Sequence, residues 1–317
     1  MKNLKFTTIV VLAITALISC QKDENATNQQ PEVTSLKNPQ LSRSNLLLKA
    51  GKASKLVSTS SGSAKLRVQM YKAEYLTSGE DERAGNTVFF NNRGNKQLDA
   101  DFVAALSLDG TPNITYHIDY TRPSDDLPLA TTTNAIDRAM RTWDGVKCSN
   151  LGITKIKSKG TPTGFAAFIL GYGGSPDYVA DINHAGWLPR SFFDEIAPGG
   201  GDFVLAVTFT FIFTDENGNA SDLDNNKKAD VAFRETYYND AFTWNDGSTY
   251  DVETIALHES GHGLSQDHFG KAFLSGNGKL HFAPLAVMNA SYSGVQTTIG
   301  KTDLGGHCSN WASWPQK

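Results

Sequence analysis

Residues 251–268 have the sequence DVETIALHESGHGLSQDH, which contains His258, Glu259, His262 and His268. Histidines at positions i and i+4 of a helix project from one face, one turn apart, and can bind the same tetrahedral ion. Glu259 follows the first of them, where it could accept a proton from a water on that ion. If the helix ends soon after His262, the chain can turn back and present His268 as a third ligand. The alternative is an amphipathic helix that carries surface histidines.

The sequence before and after this stretch alternates between strand and helix patterns. Residues 203–213 form the clearest predicted strand, because Val207, Phe209, Phe211 and Phe213 alternate along it. The other predicted elements are strands at 114–120, 153–156 and 231–238, a helix with Thr133 or Asn134 as N-cap and Ile136, Met140 and Trp143 on one face, and a helix at 251–264. Because strict βαβ regularity is missing, the pattern predicts an α+β or mixed-sheet fold.

The composition excludes several classes of protein. The chain has 317 residues, 39% hydrophobic and 20% charged, with a net charge of −4. These values are ordinary for a globular protein and exclude collagen-like, coiled-coil and wholly disordered chains. Because the net charge is negative, no basic surface is expected to bind nucleic acid.

The first residues are typical of a secretory signal. Lys2 and Lys5 precede an apolar run at 9–19, which is too short for an ordinary membrane span. The run ends at Cys20, and this junction resembles the lipobox of bacterial lipoproteins. The resemblance implies a lipoprotein signal peptide at 1–19 and a secreted protein, lipid-anchored through Cys20 to the outer membrane or cell surface. The alternative is an ordinary signal peptide that contains a cysteine.

Residues 20–84 are predicted to be a flexible tether or a propeptide-like segment. Residues 21–70 contain no Phe, Tyr or Trp, so they lack the apolar surface that would offset the entropy of ordering. The leucines at 46–48 could dock elsewhere and leave the propeptide alternative open. Aromatic residues begin at Tyr71, and the packed domain is predicted at 85–317.

Three parts of the sequence resemble one known family. His258-Glu259-x-x-His262-x-x-Ser265-x-x-His268 resembles the extended zinc motif of the metzincins, His-Glu-x-x-His-x-x-Gly-x-x-His. Residues 286–292, AVMNASY, are similar to the Met-turn of the matrixin branch, and residues 237–251 are also matrixin-like. The resemblance covers residues 110–317. Astacins carry Glu where this chain has Phe269, so the astacin branch is less similar.

The resemblance implies an α+β, metzincin-type catalytic domain with a twisted mixed sheet, an active-site helix and a Met-turn C-terminal subdomain. It implies a zinc endopeptidase in which His258, His262 and His268 bind zinc and Glu259 is the general base toward a zinc-activated water. The partner would be a protein or peptide substrate that pairs antiparallel with an edge strand, here 203–213. We expect a monomer.

Two further residues have roles that the resemblance implies. Met288 would form a hydrophobic floor under the metal, and Tyr292 would line the pocket on the primed side of the substrate. A different class of function stays open: a surface binding protein that keeps the metzincin fold but has little or no turnover.

The family glycine is replaced by Ser265, where the backbone usually turns left-handed. A non-glycine residue in that conformation costs about 1–2 kcal/mol. We therefore expect Ser265→Gly to raise stability by up to about 1 kcal/mol. The loop of 19 residues between His268 and Met288 is also longer than in a minimal matrixin.

The spacing of Asp222, Asp224, Asn226 and Asp230 is similar to that of oxygen ligands in a calcium loop, so calcium is a second candidate cofactor. Lys227 occupies the position of the usual turn glycine and favours the alternative, a solvated hairpin loop.

The remaining cysteines and histidines carry weaker predictions. Cys148 and Cys308 remain after lipidation of Cys20 and are predicted to form a disulfide, with two buried thiols as the alternative. Four histidines lack ligand spacing and are predicted to be surface or hydrogen-bonded residues: His117, His184, His281 and His307.

Overall fold

A computed structural model of the protein describes residues 53–59, 62–79, 96–275 and 280–315. The predicted signal peptide, Cys20 and the leucines at 46–48 lie outside these residues. No helix in the described part of the chain is long and apolar enough to cross a membrane.

The fold is α+β and is built on an eight-stranded mixed sheet with the order β1-β2-β7-β8-β6-β4-β5, in which β3 also pairs with β8. Strands β4, β5, β6 and β8 are parallel to one another, whereas β7 is antiparallel to β8 and to β2. The strands are β1 (Ala53–Thr59), β2 (Gly62–Thr77), β3 (Ala100–Asp101), β4 (Ile114–Ile118), β5 (Ile153–Ile156), β6 (Ile182–Leu188), β7 (Val204–Thr214) and β8 (Ala229–Asn239). A separate hairpin contains β9 (Lys271–Leu274) and β10 (Leu280–Ala283). The strands predicted from the sequence are thus confirmed.

Five α-helices occur within the described residues: α1 (Leu129–Asp144), α2 (Phe165–Leu170), α3 (Arg190–Ile196), α4 (Val252–Gly263) and α5 (Lys301–Trp311). The buried face of α1 with Ile136, Met140 and Trp143 is confirmed. Its predicted N-cap is wrong, because α1 begins directly after Pro128 and the threonines lie inside the helix. Proline fixes a backbone angle compatible with a helix start, and it outweighed the capping preference of the later polar residues.

Strand β7 is buried on both faces, although its alternating sequence is typical of a strand with one solvated face. On one face Phe209 and Phe211 belong to an aromatic core that includes Phe165 and Phe192 of α2 and α3. On the other face, the Thr208 hydroxyl donates a hydrogen bond to a carboxylate of α4. Helices therefore cover both sides of the sheet, and α4 lies on the threonine side.

The described part of the predicted tether differs from the prediction. Residues 62–77 form β2, which pairs with β7 from Arg67↔Thr214 to Thr77↔Val204. Val68 and Tyr75 are buried in the core. The apolar residues at 66, 68 and 70 have the two-residue period of a strand, so they supply packing surface without an aromatic side chain. A flexible tether is therefore wrong for residues 62–79, whereas the propeptide alternative is compatible with this pairing.

The predicted disulfide between Cys148 and Cys308 is confirmed, with a Cα–Cα distance of 5.7 Å. It joins the chain just after α1 to α5. Trp311 of α5 donates its indole hydrogen bond to the carbonyl of Leu264, 2.9 Å away, directly after α4. The C-terminal helix therefore supports the end of the helix that carries the histidines.

Candidate metal centre

Helix α4 places His258 and His262 in the interior of the protein. The helix begins at the N-cap Asp251, whose carboxylate accepts a hydrogen bond from the amide of Thr254 at 2.8 Å. All twelve of its residues except Glu253 are buried. Trp143 of α1 donates a hydrogen bond to the carbonyl of Leu257 at 2.9 Å and fixes the helix against its neighbour. The alternative of surface histidines is therefore wrong.

The chain turns back at Ser265, which has the left-handed φ of 66°. The amide of Gln266 donates to the carbonyl of Gly261 at 2.9 Å, and the amide of Ser265 donates to that of His262 at 2.9 Å. This is the pattern of a Schellman helix end, which normally has glycine at the left-handed position. The turn returns the chain to the helix and brings His268 to the other two histidines, as the spacing predicted.

The three histidines meet at their Nε2 atoms. The Nε2 atom of His268 lies 3.0 Å from that of His258 and 3.0 Å from that of His262, and the remaining pair is 3.1 Å apart. His258 is 1% exposed, and His262 and His268 are 0% exposed. Among the described residues, this is the one group of three or more His, Cys, Asp or Glu side chains that could hold a metal ion.

Backbone carbonyls set the protonation of two of these rings. The Nδ1 of His258 donates to the carbonyl of Val287 at 2.6 Å, and that of His262 donates to the carbonyl of Gln266 at 2.8 Å. Because carbonyls only accept, Nδ1 carries the proton and Nε2 exposes a lone pair. Burial lowers the pKa of His258 to about 4 and the pKa of His262 well below its ordinary value, so both are neutral at pH 7. Their lone pairs face each other and repel, unless a cation lies between them. The residues therefore fit a metal ion.

Glu259 is buried next to this cluster. Its carboxylate accepts a hydrogen bond from the Thr208 hydroxyl at 2.6 Å. Its second oxygen, Oε1, has no partner among the described residues. Burial raises the pKa of Glu259 to about 8; the hydrogen bond from Thr208 opposes this rise, and the charge of Glu74 adds to it. A carboxylate with this raised pKa and one unpartnered oxygen can exchange a proton near neutral pH.

Residues 286–289 form a turn beneath the helix. Met288 is fully buried, and a Cβ added to Gly261 would lie 2.2 Å from its Sδ atom. Gly261 lies between His258 and His262 in the sequence, and only glycine at this position allows Met288 to approach the helix backbone this closely. The Asp303 carboxylate accepts hydrogen bonds from the amides of Val287 and Met288, both at 3.2 Å, and fixes the carbonyl that orients His258.

Sequence reasoning missed Arg234, which is completely buried in β8. Its Nη1 donates to the carbonyl of Gly263 at 3.0 Å and to the Ser265 hydroxyl at 2.8 Å. Its other donors bind the Thr210 hydroxyl and the carbonyl of Ala100. Arg234 therefore holds the end of α4 and the turn that positions the third histidine. An arginine at the centre of the predicted strand 231–238 was the available signal, because arginine is rarely buried without partners.

Glu74 of β2 was also missed, because it lies in the segment predicted as a tether. It is buried, forms an ion pair with Lys72 at 3.2 Å, and has an oxygen 4.0 Å from Nδ1 of His268. Burial raises the pKa of Glu74 to about 7, and the charge of Lys72 opposes this rise. A strand that was expected outside the domain thus contributes a carboxylate beside the third histidine.

The edge of β7 that was expected to bind substrate is occupied by β2. The amide of Thr77 donates to the carbonyl of Ala290 at 3.3 Å, and the amide of Tyr292 donates to the carbonyl of Thr77 at 2.8 Å. The Thr77 and Ser291 hydroxyls also contact each other. Strand β7 is therefore not an edge strand in this structure, and Tyr292 contacts β2.

The loop predicted to bind calcium is closed by its own hydrogen bonds. Asp222 accepts from the amides of Asn226 and Lys227, each at 3.0 Å, and the Asn226 side chain donates to Asp224 at 3.0 Å. Among the described residues, these carboxylates do not belong to a group of three His, Cys, Asp or Glu side chains that could hold an ion. This arrangement favours the hairpin-loop alternative.

The other histidines lie apart from the cluster. His117 is hydrogen-bonded to Asn183 at 2.9 Å, and His184 is hydrogen-bonded to the Tyr238 hydroxyl at 2.8 Å. The ring of His307 stacks on Trp143.

In comparisons with known proteins, no protein-family model matches this chain, and no curated protein matches it.

Proposed function

We propose that this chain is a zinc-dependent endopeptidase of the metzincin type, with His258, His262 and His268 as zinc ligands and Glu259 as general base. The observation that carries the proposal is the cluster of three buried imidazole nitrogens next to a buried carboxylate. Zinc prefers nitrogen ligands at about 2.0–2.1 Å, which in a tetrahedral site separates two ligands by about 3.3–3.4 Å. The observed separations of 3.0–3.1 Å are close to this value.

Each group in the centre has a different role in the proposed reaction. Zinc in such a site polarises a substrate carbonyl and makes water more acidic. Glu259 would accept the proton of the attacking water and pass it to the leaving amine, which requires a pKa near the working pH. Thr208 orients the Glu259 carboxylate, and the carbonyls of Val287 and Gln266 hold two of the imidazoles in the ligating tautomer.

Several features of the fold support the same proposal. The mixed sheet, the buried helix α4 and the turn at 286–289 correspond to the parts that the metzincin resemblance implies. The left-handed turn at Ser265 occupies the position of the family glycine. The lipid anchor at Cys20 and the place of the protein outside the cytoplasm stay predictions of the sequence.

Metal analysis and a cleavage assay together test this proposal. The purified chain, reconstituted with zinc, should hold one zinc ion and cleave casein or gelatin in a way that a chelator abolishes. Glu259→Gln is the matched variant, because the amide keeps the shape and the hydrogen bond from Thr208 but cannot accept the proton. It should keep the zinc and lose cleavage. Wild-type turnover in this variant would refute the assignment of the base.

The alternative function is a binding protein with little turnover. One observation favours it: the three histidines and Glu259 are at most 1% exposed, so this structure gives no polypeptide access to them. A protein that holds one zinc but shows no chelator-sensitive cleavage in any form would support this alternative.

A further inference from the structure

We propose that Asn289 is a positioning residue for the third histidine, because its side chain connects the peptide group after His268 to the turn at 286–289. This inference rests on the proposed function, since it concerns the binding of the zinc ion. Loss of the Asn289 side chain should weaken zinc binding, although none of its hydrogen bonds involves an imidazole.

His268 is fixed differently on its two sides along the chain. On the N-terminal side, the short turn at Ser265 connects it to α4. On the C-terminal side, a loop of 19 residues separates it from Met288. A long loop restrains its ends less than a short one, because many conformations are compatible with closure. A direct contact between the two ends of this loop is therefore needed to fix His268 from the second side.

The Asn289 side chain makes this contact with all of its polar atoms. Its Nδ2 donates to the carbonyl of Phe269 at 2.9 Å and to the carbonyl of Pro284 at 3.2 Å. Its Oδ1 accepts from the amide of Ala286 at 2.8 Å. Since Phe269 directly follows His268, one of these bonds holds the peptide group next to the third ligand. The side chain is buried, with Asn289 only 1% exposed, so water competes little for these bonds.

The backbone at the same place supports the contact. The amide of Phe269 donates to the carbonyl of Met288 at 3.1 Å, so a main-chain bond accompanies the bond from Asn289. The next residue, Gly270, has a φ of 102°, and a Cβ added to it would lie 2.7 Å from Nδ2 of Asn289. Glycine at this position therefore leaves the space that the Asn289 amide occupies.

The same amide closes the base of the hairpin inside the loop. The pairing of β9 with β10 begins at Lys271↔Ala283. Phe269 and Pro284 lie just outside this pair, and Nδ2 of Asn289 donates to the carbonyl of both. A single side chain thus holds both ends of the hairpin and the residue after the third ligand. This explains how the long loop is compatible with a fixed His268.

The chain offers a matched asparagine outside the centre. The Nδ2 of Asn239 donates to the carbonyls of Gly201 and Val204, at 3.1 and 2.7 Å, and its Oδ1 accepts from the amide of Ala241 at 3.0 Å. Asn239 is also buried, so its removal leaves the same number of backbone groups without a partner. None of these bonds involves a histidine or the turn at 286–289. A general loss of stability should therefore appear in both variants, and a loss of zinc affinity in one.

Competition with a chelator measures the zinc dissociation constant of the full chain, of Asn289→Ala and of Asn239→Ala. Asn289→Ala should raise this constant at least about tenfold, the effect of losing a residue that orients a ligand without binding the metal. Asn239→Ala should change it less than about twofold. Equal dissociation constants for the two variants would overturn the proposal.

Cobalt(II) in place of zinc supplies a spectroscopic readout, because its visible absorption depends on the geometry of the ligands. The cobalt spectrum of Asn289→Ala should differ from that of the wild type, whereas Asn239→Ala should keep the wild-type spectrum. A shifted spectrum in both variants would assign the effect to general loosening and overturn the specific role of Asn289.

Hydrogen exchange of the wild type tests the same link without a substitution. Because coupling is reciprocal, zinc must strengthen a contact that strengthens zinc binding. The amide of Phe269 should exchange at least about tenfold more slowly in the zinc-loaded protein, and the amide of Ala241 should change less than about twofold. Unchanged exchange at Phe269 would overturn the proposal, and this measurement decides the matter if Asn289→Ala does not fold.

The outcomes separate this proposal from the endopeptidase. A wild type that binds zinc and cleaves no polypeptide, together with weak zinc binding by Asn289→Ala, refutes the endopeptidase and retains the role of Asn289. Wild-type zinc affinity in Asn289→Ala, together with chelator-sensitive cleavage of casein, retains the endopeptidase and refutes the role of Asn289. A wild type that binds no zinc overturns both.

Discussion

Replacing Ser265 by glycine changes three contributions to the stability of the turn after α4. The left-handed φ of 66° is strained for serine, and glycine relieves about 1–2 kcal/mol of that strain. Glycine also gains freedom in the unfolded chain, which offsets about 0.4–1 kcal/mol of the benefit. From the sequence alone these two contributions predict a more stable variant.

The structure reverses the expected sign. The Ser265 hydroxyl accepts a hydrogen bond at 2.8 Å from Arg234, whose side chain is 0% exposed. A hydrogen bond from a charged donor contributes about 1.5–3 kcal/mol, and glycine removes it from a buried cation. We therefore expect Ser265→Gly to be about 1–2 kcal/mol less stable than the wild type. Weaker fixation of the turn should also lower zinc affinity, since the turn carries His268 to the metal.

Urea unfolding of the metal-free and zinc-loaded proteins measures both effects. Ser265→Ala is the matched control, because alanine keeps the strained backbone but loses the hydroxyl. The expected order of stability is wild type, then Ser265→Gly, then Ser265→Ala, with about 1 kcal/mol between the last two. A glycine variant more stable than the wild type would show that the bond from Arg234 contributes too little to outweigh the strain.

Three further predictions concern other residues of the centre and the core. His268→Ala should lose zinc affinity as well as cleavage, and one tightly bound zinc in this variant would place the third ligand elsewhere. Gly261→Ala should lower the free energy of unfolding by about 1–3 kcal/mol through overpacking, because the added Cβ would lie 2.2 Å from Sδ of Met288. In thermal unfolding, the double variant Gly261→Ala/Met288→Ala should recover part of the lost stability. An unchanged Tm in the single variant would contradict the close approach of Met288. Burial lowers the pKa of His184 to about 3 and that of His307 to about 4, from an ordinary value of 6.5. The unfolded chain therefore binds these protons first as the pH falls, and the contribution of each histidine to stability should decrease from pH 6.5 downward, by about 2 kcal/mol at pH 5. Burial raises the pKa of Glu74 and Glu259, which add stability over the same range, so the histidine contribution is measured as a difference between two proteins. Urea unfolding of the metal-free wild type and of His307→Gln at pH 7 and pH 5 should show a change with pH that is about 2 kcal/mol less favourable in the wild type. An identical pH dependence in the two proteins would refute the argument.

The sequence determined the parts of the molecule that depend on neighbouring residues. The i and i+4 spacing of His258 and His262 sets their common helical face, and the short step to His268 requires a turn. The strands predicted at 114–120, 153–156 and 203–213 and the helix predicted at 251–264 agree with the structure within two residues at each end, because their side-chain periods are local properties. The disulfide was predicted because only two cysteines remain once Cys20 is assigned to the lipid anchor.

Only the tertiary structure decided which distant groups meet. The place of β2 beside β7 depends on hydrogen bonds between residues more than 120 positions apart, and the composition of residues 21–70 does not encode that partner. The bond from Arg234 to Ser265 reverses the expected effect of a substitution, and nothing in the sequence indicates that these two residues meet. Strand pairing, burial of both faces of β7 and the tautomers of the histidines all depend on partners that are distant along the chain. Local periodicity contains no information about those partners, because it reflects only which side of an element is apolar.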